Sequence, residues 1–358
     1  MNRSAVQGAG QIIGLIDGRQ VVGLDIAKSV FQLHSVDMAT GEIVNMQLKR
    51  AKVLEYFANR PSCLIGIEAC GGAHHWAREL TGLGHSVRLI HARAVRPFVT
   101  GNKTDATDAR AIWLSVQQPG TKFVGVKTLA QQATLTLHRQ RELLMRMKVM
   151  QINGLRGLLY EFGATFARGR NALFSQIEAT LESLAKDIPQ FVADSLREQV
   201  QRIRQLVQDI KAVEERLAQR LRADADMKRV AAIPGVGLLT ATAAIATMGQ
   251  ASAFKSAREF CAWLGLVPKQ RGTGGRVNLS GISKRGDTYL RTLLIHGARV
   301  VLNHAKEPGP WLEQLKVRRP ANVAIVAQAA KMARTIWAVT ARQQDYQRAY
   351  VSSRPQVA

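Results

Sequence analysis

Apolar and polar positions change rhythm several times along the chain. Residues 20–26 (Gln-Val-Val-Gly-Leu-Asp-Ile) form a nearly continuous apolar run that carries one acid, Asp25, near its end. Such a run predicts a buried strand, and residues 29–37 and 42–48 predict a second and a third. A turn at Thr40-Gly41 joins the last two, so the three read as an antiparallel meander. Helical spacing follows over 50–59. Residues 62–69 are again almost all apolar, interrupted by Glu68. A carboxylate inside such a strand is costly to bury unless a partner or a metal accompanies it. A helix over 73–82, a strand over 86–90 and a helix opening at Thr104 complete the pattern, an α/β layer in which Asp25, Glu68, Asp105 and Asp108 converge.

Past Pro119 the α/β rhythm gives way to helices. Residues 128–163 and 195–221 are helical with interspersed charges, and Leu196, Val200, Ile203, Val207, Ile210, Leu217 and Leu221 recur at spacings of three and four with one irregular step. That seam is coiled-coil-like, broken into arms at 163–169 and 187–189, and reads either as a spacer or as a dimerisation arm. A third rhythm begins at Ile233-Pro234-Gly235-Val236-Gly237, between helices over 227–232 and 238–248. An apolar-Pro-Gly-apolar-Gly turn is that of helix-hairpin-helix elements, in which Gly235 and Gly237 let backbone N–H groups approach a phosphate; the alternative is a plain helical connection. Residues 269–287 read as a loop in which glycines alternate with Lys269, Arg271, Arg276, Lys284 and Arg285, and Thr273, Ser280 and Ser283 stand among those cations. Each hydroxyl reads either as a nucleophile toward phosphorus or as a phosphate ligand or cap for a helix near Thr288. That helix, 289–302, leaves Arg291 and Arg299 available to solvent or nucleic acid. A last helix covers 323–339, and the tail, 346–358, is expected to be disordered.

Charge narrows the partner. The 358 residues carry a net +24 with a pI near 10.8, an excess that implies a polyanion, with DNA or RNA the default. An anionic membrane competes, but no apolar run approaches a membrane span and the N-terminus lacks a signal-peptide core. Cys63, Cys70 and Cys261 have no ligand-like spacing, which argues against a disulfide framework and structural zinc, and for a reduced, cytoplasmic protein.

The octet 103–110 (Lys-Thr-Asp-Ala-Thr-Asp-Ala-Arg) sharpens the chemistry. Asp105 and Asp108 lie three apart in a first helical turn with Thr104 as N-cap. By itself this reads first as a well-capped helix with acidic first-turn residues. Joined with Asp25 on the first predicted strand and Glu68 on the fourth, it reproduces the placement found in RNase H-like nuclease folds. Four hard-oxygen ligands suit Mg²⁺ or Mn²⁺, two ions about 3.5–4 Å apart serving the attacking and leaving oxygens of a phosphodiester.

These motifs in this order, Gly-Leu-Asp-Ile-Ala-Lys around Asp25, Gly-Ile-Glu-Ala around Glu68, Asn-Lys-Thr-Asp-Ala-Thr-Asp-Ala-Arg at 102–110, Ile-Pro-Gly-Val-Gly, Leu-Gly-Leu-Val-Pro and Gly-Ile-Ser-Lys-Arg-Gly-Asp, resemble the DEDD transposases of bacterial insertion sequences. Within these Piv-like recombinases of the one-ten family, the wording is similar to the eleven-eleven subgroup, over roughly 20–345. The resemblance implies a RuvC-like catalytic domain (19–125), a helical coiled-coil arm (126–225) and a mainly helical C-terminal transposase domain (226–345). It implies Asp25, Glu68, Asp105 and Asp108 as the metal-holding tetrad, a C-terminal serine as covalent nucleophile, and direction to donor and target DNA by a noncoding RNA. Here the sequence departs from the pattern: counted from Pro268 the nucleophile position falls on Thr273, counted back from Ser283 on Gly272, and Ser280 is the nearest serine. A threonine nucleophile, a shifted serine and metal-only chemistry all stay open. The expected function is site-specific DNA recombination by a homo-oligomer, dimer or tetramer. The rivals are a Holliday-junction resolvase using water and a nucleic-acid-binding scaffold without catalysis.

Overall fold

The computed structural model describes residues 15–16, 19–37, 39–102, 104–167 and 169–348. Lys103 and the tail from 349 onward lie outside them, so most of the tail expected to be disordered is outside the described residues. The chain divides into two compact units, Met1–Thr128 and Leu129–Ala358.

In the first unit the strands are β1 (Leu15–Ile16), β2 (Arg19–Asp25), β3 (Val30–Val36), β4 (Ile43–Lys49), β5 (Leu64–Glu68), β6 (Ser86–Ile90) and β7 (Phe123–Val124). The helices are α1 (Val53–Ala58), α2 (Ala73–Gly82), α3 (Ala92–Val95) and α4 (Asp105–Val116). The sheet runs β4-β3-β2-β5-β6-β7, with β1 paired on β2. The β2–β3–β4 meander is antiparallel as expected, while β2–β5 and β5–β6 are parallel. Its turn is fastened by Asp37, whose carboxylate accepts from the amides of Ala39 (2.8 Å) and Thr40 (3.1 Å). The α/β pattern does not stop at Pro119: β7 adds antiparallel to β6. Two residues are too few to show a period in sequence.

Both sheet faces are covered, which is why β2 and β5 read as continuous apolar runs. Val22, Leu24, Phe31, Leu33, Ile65 and Ile67 pack with Phe57, Trp76 and Leu80 of α1 and α2. Val21, Leu64 and Ile90 face the other way, onto Ile112, Trp113 and Val116 of α4. The result is three layers with the sheet in the middle.

The second unit is mainly helical: α5 (Leu129–Glu161), α6 (Arg170–Leu184), α7 (Gln190–Ala223), α8 (Ala225–Ala231), α9 (Leu238–Met248), α10 (Ala257–Trp263), α11 (Thr288–His304), α12 (Pro310–Arg318) and α13 (Ala321–Arg342). Helices α5 and α7 lie against each other, cross-linked by an Arg141–Glu214 ion pair of 2.7 Å. Of the expected seam, Leu196, Val200, Ile203, Ile210 and Leu217 are buried, joined by Val213. Helix α7 begins at Gln190, before the first seam residue. Helix α6 adds Leu173, Ile177 and Leu181 to the same core. Residues 268–282, read from sequence as a loop, form a two-stranded antiparallel hairpin instead, β8 (Pro268–Thr273) and β9 (Arg276–Ile282). No helix among the described residues is long and apolar enough to cross a membrane.

One buried histidine ties α5 to the helices after it. The ring nitrogens of His138 stand 3.0 Å from the Tyr289 hydroxyl of α11 and 3.0 Å from the Thr242 hydroxyl of α9. Burial, with a smaller push from Arg141, lowers the His138 pKa from 6.5 to about 4. The folded state therefore binds fewer protons than the unfolded chain between those values, and stability is complete above pH 6.5 and lost as pH falls toward 4. The loss is on the order of 3 kcal/mol. Urea denaturation at pH 7.5 and 4.5 checks it: the wild type is expected to lose more stability than His138→Gln, and equal losses would contradict the assignment.

Candidate active site

The first turn of α4 explains why two acids stand free there. Thr104 caps the helix, its hydroxyl accepting from the Thr107 amide at 3.2 Å while the Thr107 hydroxyl accepts from the Thr104 amide at 2.9 Å. This is a capping box with threonine in the place usual for Glu or Gln. Because the threonines satisfy the helix end, Asp105 and Asp108 are not consumed as caps. Among the described residues neither carboxylate makes a hydrogen bond or ion pair.

Two glycines bring that helix end to the strand ends. Gly23 of β2 and Gly66 of β5 are direct partners in the parallel register. A Cβ on Gly23 would collide with the Ala109 carbonyl oxygen and come within 2.6 Å of the Trp113 nitrogen, and one on Gly66 within 3.0 Å of the Val116 Cβ. Helix α4 thus lies directly on the backbone of both strands, held by the Trp113 indole donating to the Val21 carbonyl at 3.1 Å. Asp25 is two residues past Gly23, about 6.6 Å along the strand. Asp105 is four residues before Ala109, about 6 Å back along the helix. The matching offsets carry Asp105 and Asp108 over the end of β2, and Glu68 closes the adjacent β5.

The electrostatics report the convergence. Asp25 is half-buried, and its pKa is raised from 3.8 to about 6, first by burial and then by the negative charges of Asp108, Asp105 and Glu68. The Ile26 amide, donating to it, opposes the shift. Among the described residues no three His, Cys, Asp or Glu side chains stand close enough to hold an ion as they are. The donor set nevertheless fits Mg²⁺ or Mn²⁺: four hard-oxygen groups, mutually repelling, with no lysine or arginine paired to any of them among the described residues. Magnesium sites of this kind use one or two carboxylates, retained waters and substrate phosphate oxygens, so a complete protein cage is not required.

The other expected residues lie in the second unit. Thr273 ends β8 opposite Arg276, and Ser280 with Gly281 opposes Lys269 in an irregular step of the hairpin. Neither hydroxyl makes a hydrogen bond among the described residues. Nor do hydroxyls cap α11: Asp287 does, accepting from the Leu290 amide at 2.7 Å. Lys284 adopts the left-handed region at φ +54° beside Arg285, a conformation uncommon for a side-chain-bearing residue. Gly237 is exposed at the start of α9, with open space where a Cβ would go, whereas the Cα of Gly235 faces Gly297 and Val301 of α11. Close helix packing therefore also demands glycine at 235.

Arg299 is exposed as expected, but Arg291 is not available to solvent or nucleic acid. It is 7% exposed, and its guanidinium donates to the carbonyls of Leu264 (2.9 Å) and Arg285 (2.8 Å) and to the Thr288 hydroxyl (3.1 Å). It stitches the residues before the hairpin to those after it. Arg291→Met leaves the buried Leu264 carbonyl and the part-buried Arg285 carbonyl without this donor and is expected to cost about 2–4 kcal/mol, read as a lowered urea midpoint. Arg299→Met, a surface change, is expected to stay within about 0.5 kcal/mol.

Comparison with known proteins adds a second line. The model of the transposase family IS116/IS110/IS902 matches residues 227–312. A probable family 20 transposase of Pseudomonas aeruginosa PAO1 is 45% identical over 330 residues, 91% of this chain and 98% of the relative. The transposase for insertion sequence element IS1111A of Coxiella burnetii is 39% identical over 331 residues, 91% of each. The transposase for element IS1328 of Yersinia enterocolitica is 35% identical over 324 residues, 89% of this chain and 96% of the relative.

Proposed function

The chain belongs to the IS116/IS110/IS902 family of transposases, and from that premise we propose a DNA recombinase whose strand cleavage depends on Asp25, Glu68, Asp105 and Asp108. The observation that carries the proposal is the raised Asp25 carboxyl, which feels the charge of the other three acids and of no paired cation. Acids placed on β2, on β5 and at the start of α4 support an RNase H-like, RuvC-type reading of the first unit. A divalent cation bound there would stabilise charge developing on the phosphodiester oxygens.

The chain's own groups divide the remaining work. Helix α4 and strands β2 and β5 fix the direction of the acids, so that a cation and a phosphate are oriented rather than gathered at random. In the second unit, Lys269, Arg276, Lys284 and Arg285 neutralise phosphates, Arg271 also contacts nucleic acid, and Gly237 leaves the start of α9 open to the backbone. The attacking hydroxyl is that of Thr273 or Ser280. Its oxygen forms an ester to phosphorus, its proton goes to solvent or a base, and the displaced DNA oxygen leaves as a hydroxyl after taking up a proton. The α5–α7 pair serves as the arm of a homo-oligomer, an element-encoded RNA selects the DNA, and the protein works in the cytoplasm.

The test is incubation of the full chain with element-end DNA, the element's noncoding RNA and Mg²⁺, quenched in detergent and scored for protein-linked DNA. Thr273→Ala and Ser280→Ala run in parallel. An adduct lost in one variant names the nucleophile. Cleaved ends without an adduct in any lane would replace this mechanism with water-using nuclease chemistry.

A further inference from the structure

The β8–β9 hairpin is built as a blade, and we propose that it lies in the major groove of double-stranded B-form DNA with one defined face on the base edges. The inference rests on the DNA-recombinase reading and deepens it. Every residue of the hairpin except Ile282 is exposed. A two-stranded ribbon with no helix or sheet behind it is marginal in water alone, so its exposed faces suit a partner.

The register decides which side chains share a face. Arg271 pairs with Asn278 and Thr273 with Arg276, whereas Gln270 pairs with Leu279 and Gly272 with Val277. Directly opposed residues project to the same side. Arg271, Thr273, Arg276 and Asn278 therefore share a face of hydrogen-bonding groups, with Arg271 and Asn278 set for the base edges and Thr273 and Arg276, beside the turn, for the backbone the tip passes, while Val277 (59% exposed) and Leu279 (64% exposed) lie on the other face, out of the groove. Between Cys261 and Gly286 the chain carries five cations and no carboxylate. Gly274 and Gly275 both take positive φ (56° and 77°) in the two-residue turn, giving a tip with no side chains that passes close to a backbone.

Dimensions select the partner. Strands about 4.8 Å apart, with side chains, fit a groove about 12 Å wide and not the minor groove of about 6 Å. The major groove of A-form RNA is deep and narrow and excludes such a ribbon. Arginine and asparagine are the side chains whose paired donors and acceptors match guanine and adenine edges there. Lys284 and Arg285, at the hairpin's root, fall to the phosphates.

The experiment measures anisotropy of the full chain on a mixed-sequence DNA duplex and on the RNA duplex of the same sequence. Arg271→Gln/Asn278→Ala is expected to weaken the DNA complex about tenfold or more and leave the RNA complex within about twofold. Both positions are exposed, so an unchanged thermal midpoint is expected and accompanies the comparison. Methyl green, which fills the major groove, is expected to displace the wild type, and netropsin, which fills the minor groove, is not. Equal losses on both duplexes, no loss on DNA, or displacement by netropsin alone would overturn the groove assignment. A wild type that bound RNA duplex but no DNA would remove the recombinase reading itself.

Discussion

Gly23→Ala is expected to cost about 2–4 kcal/mol of stability and to abolish strand cleavage, although the change adds only one methyl group and no charge. The new carbon would meet the Ala109 carbonyl oxygen, the Trp113 nitrogen at 2.6 Å and the Trp113 Cβ at 2.7 Å. Two of those atoms are helix backbone, which no rotamer change can clear. Relief requires α4 to move off the sheet, stretching the 3.1 Å Trp113–Val21 hydrogen bond and carrying Asp105 and Asp108 away from Asp25. Gly66→Ala is the graded control. Its nearest atoms are side-chain carbons of Val116 and Ile112 at 3.0–3.3 Å, which can yield by a few tenths of an ångström, so a smaller loss is expected. Urea midpoints and cleavage rates check both; a Gly23→Ala chain with wild-type stability and cleavage would refute the close packing of α4.

The second large effect separates function from folding. Asp25→Asn is expected to lower strand cleavage by at least about a thousandfold while DNA affinity changes by less than about twofold. Stability is expected to stay level or to rise at pH 7. The ionised Asp25 is held against burial and three like charges, and the neutral amide removes that repulsion. A residue kept where it strains the fold is the pattern of a functional site. Loss of cleavage with an equal loss of stability would make Asp25 a structural residue.

How much of this was legible in the sequence depends on what each residue answers to. The meander, the single acid at the end of each buried strand and the Thr104 cap answer to local pattern, and they stand at or near their expected positions. Gly23 and Gly66 answer to the helix that covers them some ninety and fifty residues later in the chain, and nothing beside them in sequence announces it. Arg291 has the spacing of a surface cation on α11, yet it is buried because two backbone carbonyls of the hairpin's root need a donor. The hairpin escaped for another reason. Exposed on both faces, it has no apolar period answering to a core, and its signal was the Gly274-Gly275 pair between short runs of alternating residues.

The four-carboxylate site is tested most directly by counting bound Mn²⁺, by electron paramagnetic resonance, on the full chain with element-end DNA present so that phosphate oxygens can complete the coordination. Saturable binding by the wild type, lost in Asp25→Asn/Asp108→Asn while DNA stays bound, is the expected result. Equal Mn²⁺ occupancy in the wild type and the double variant would place the metal elsewhere and contradict the assignment of Asp25, Glu68, Asp105 and Asp108.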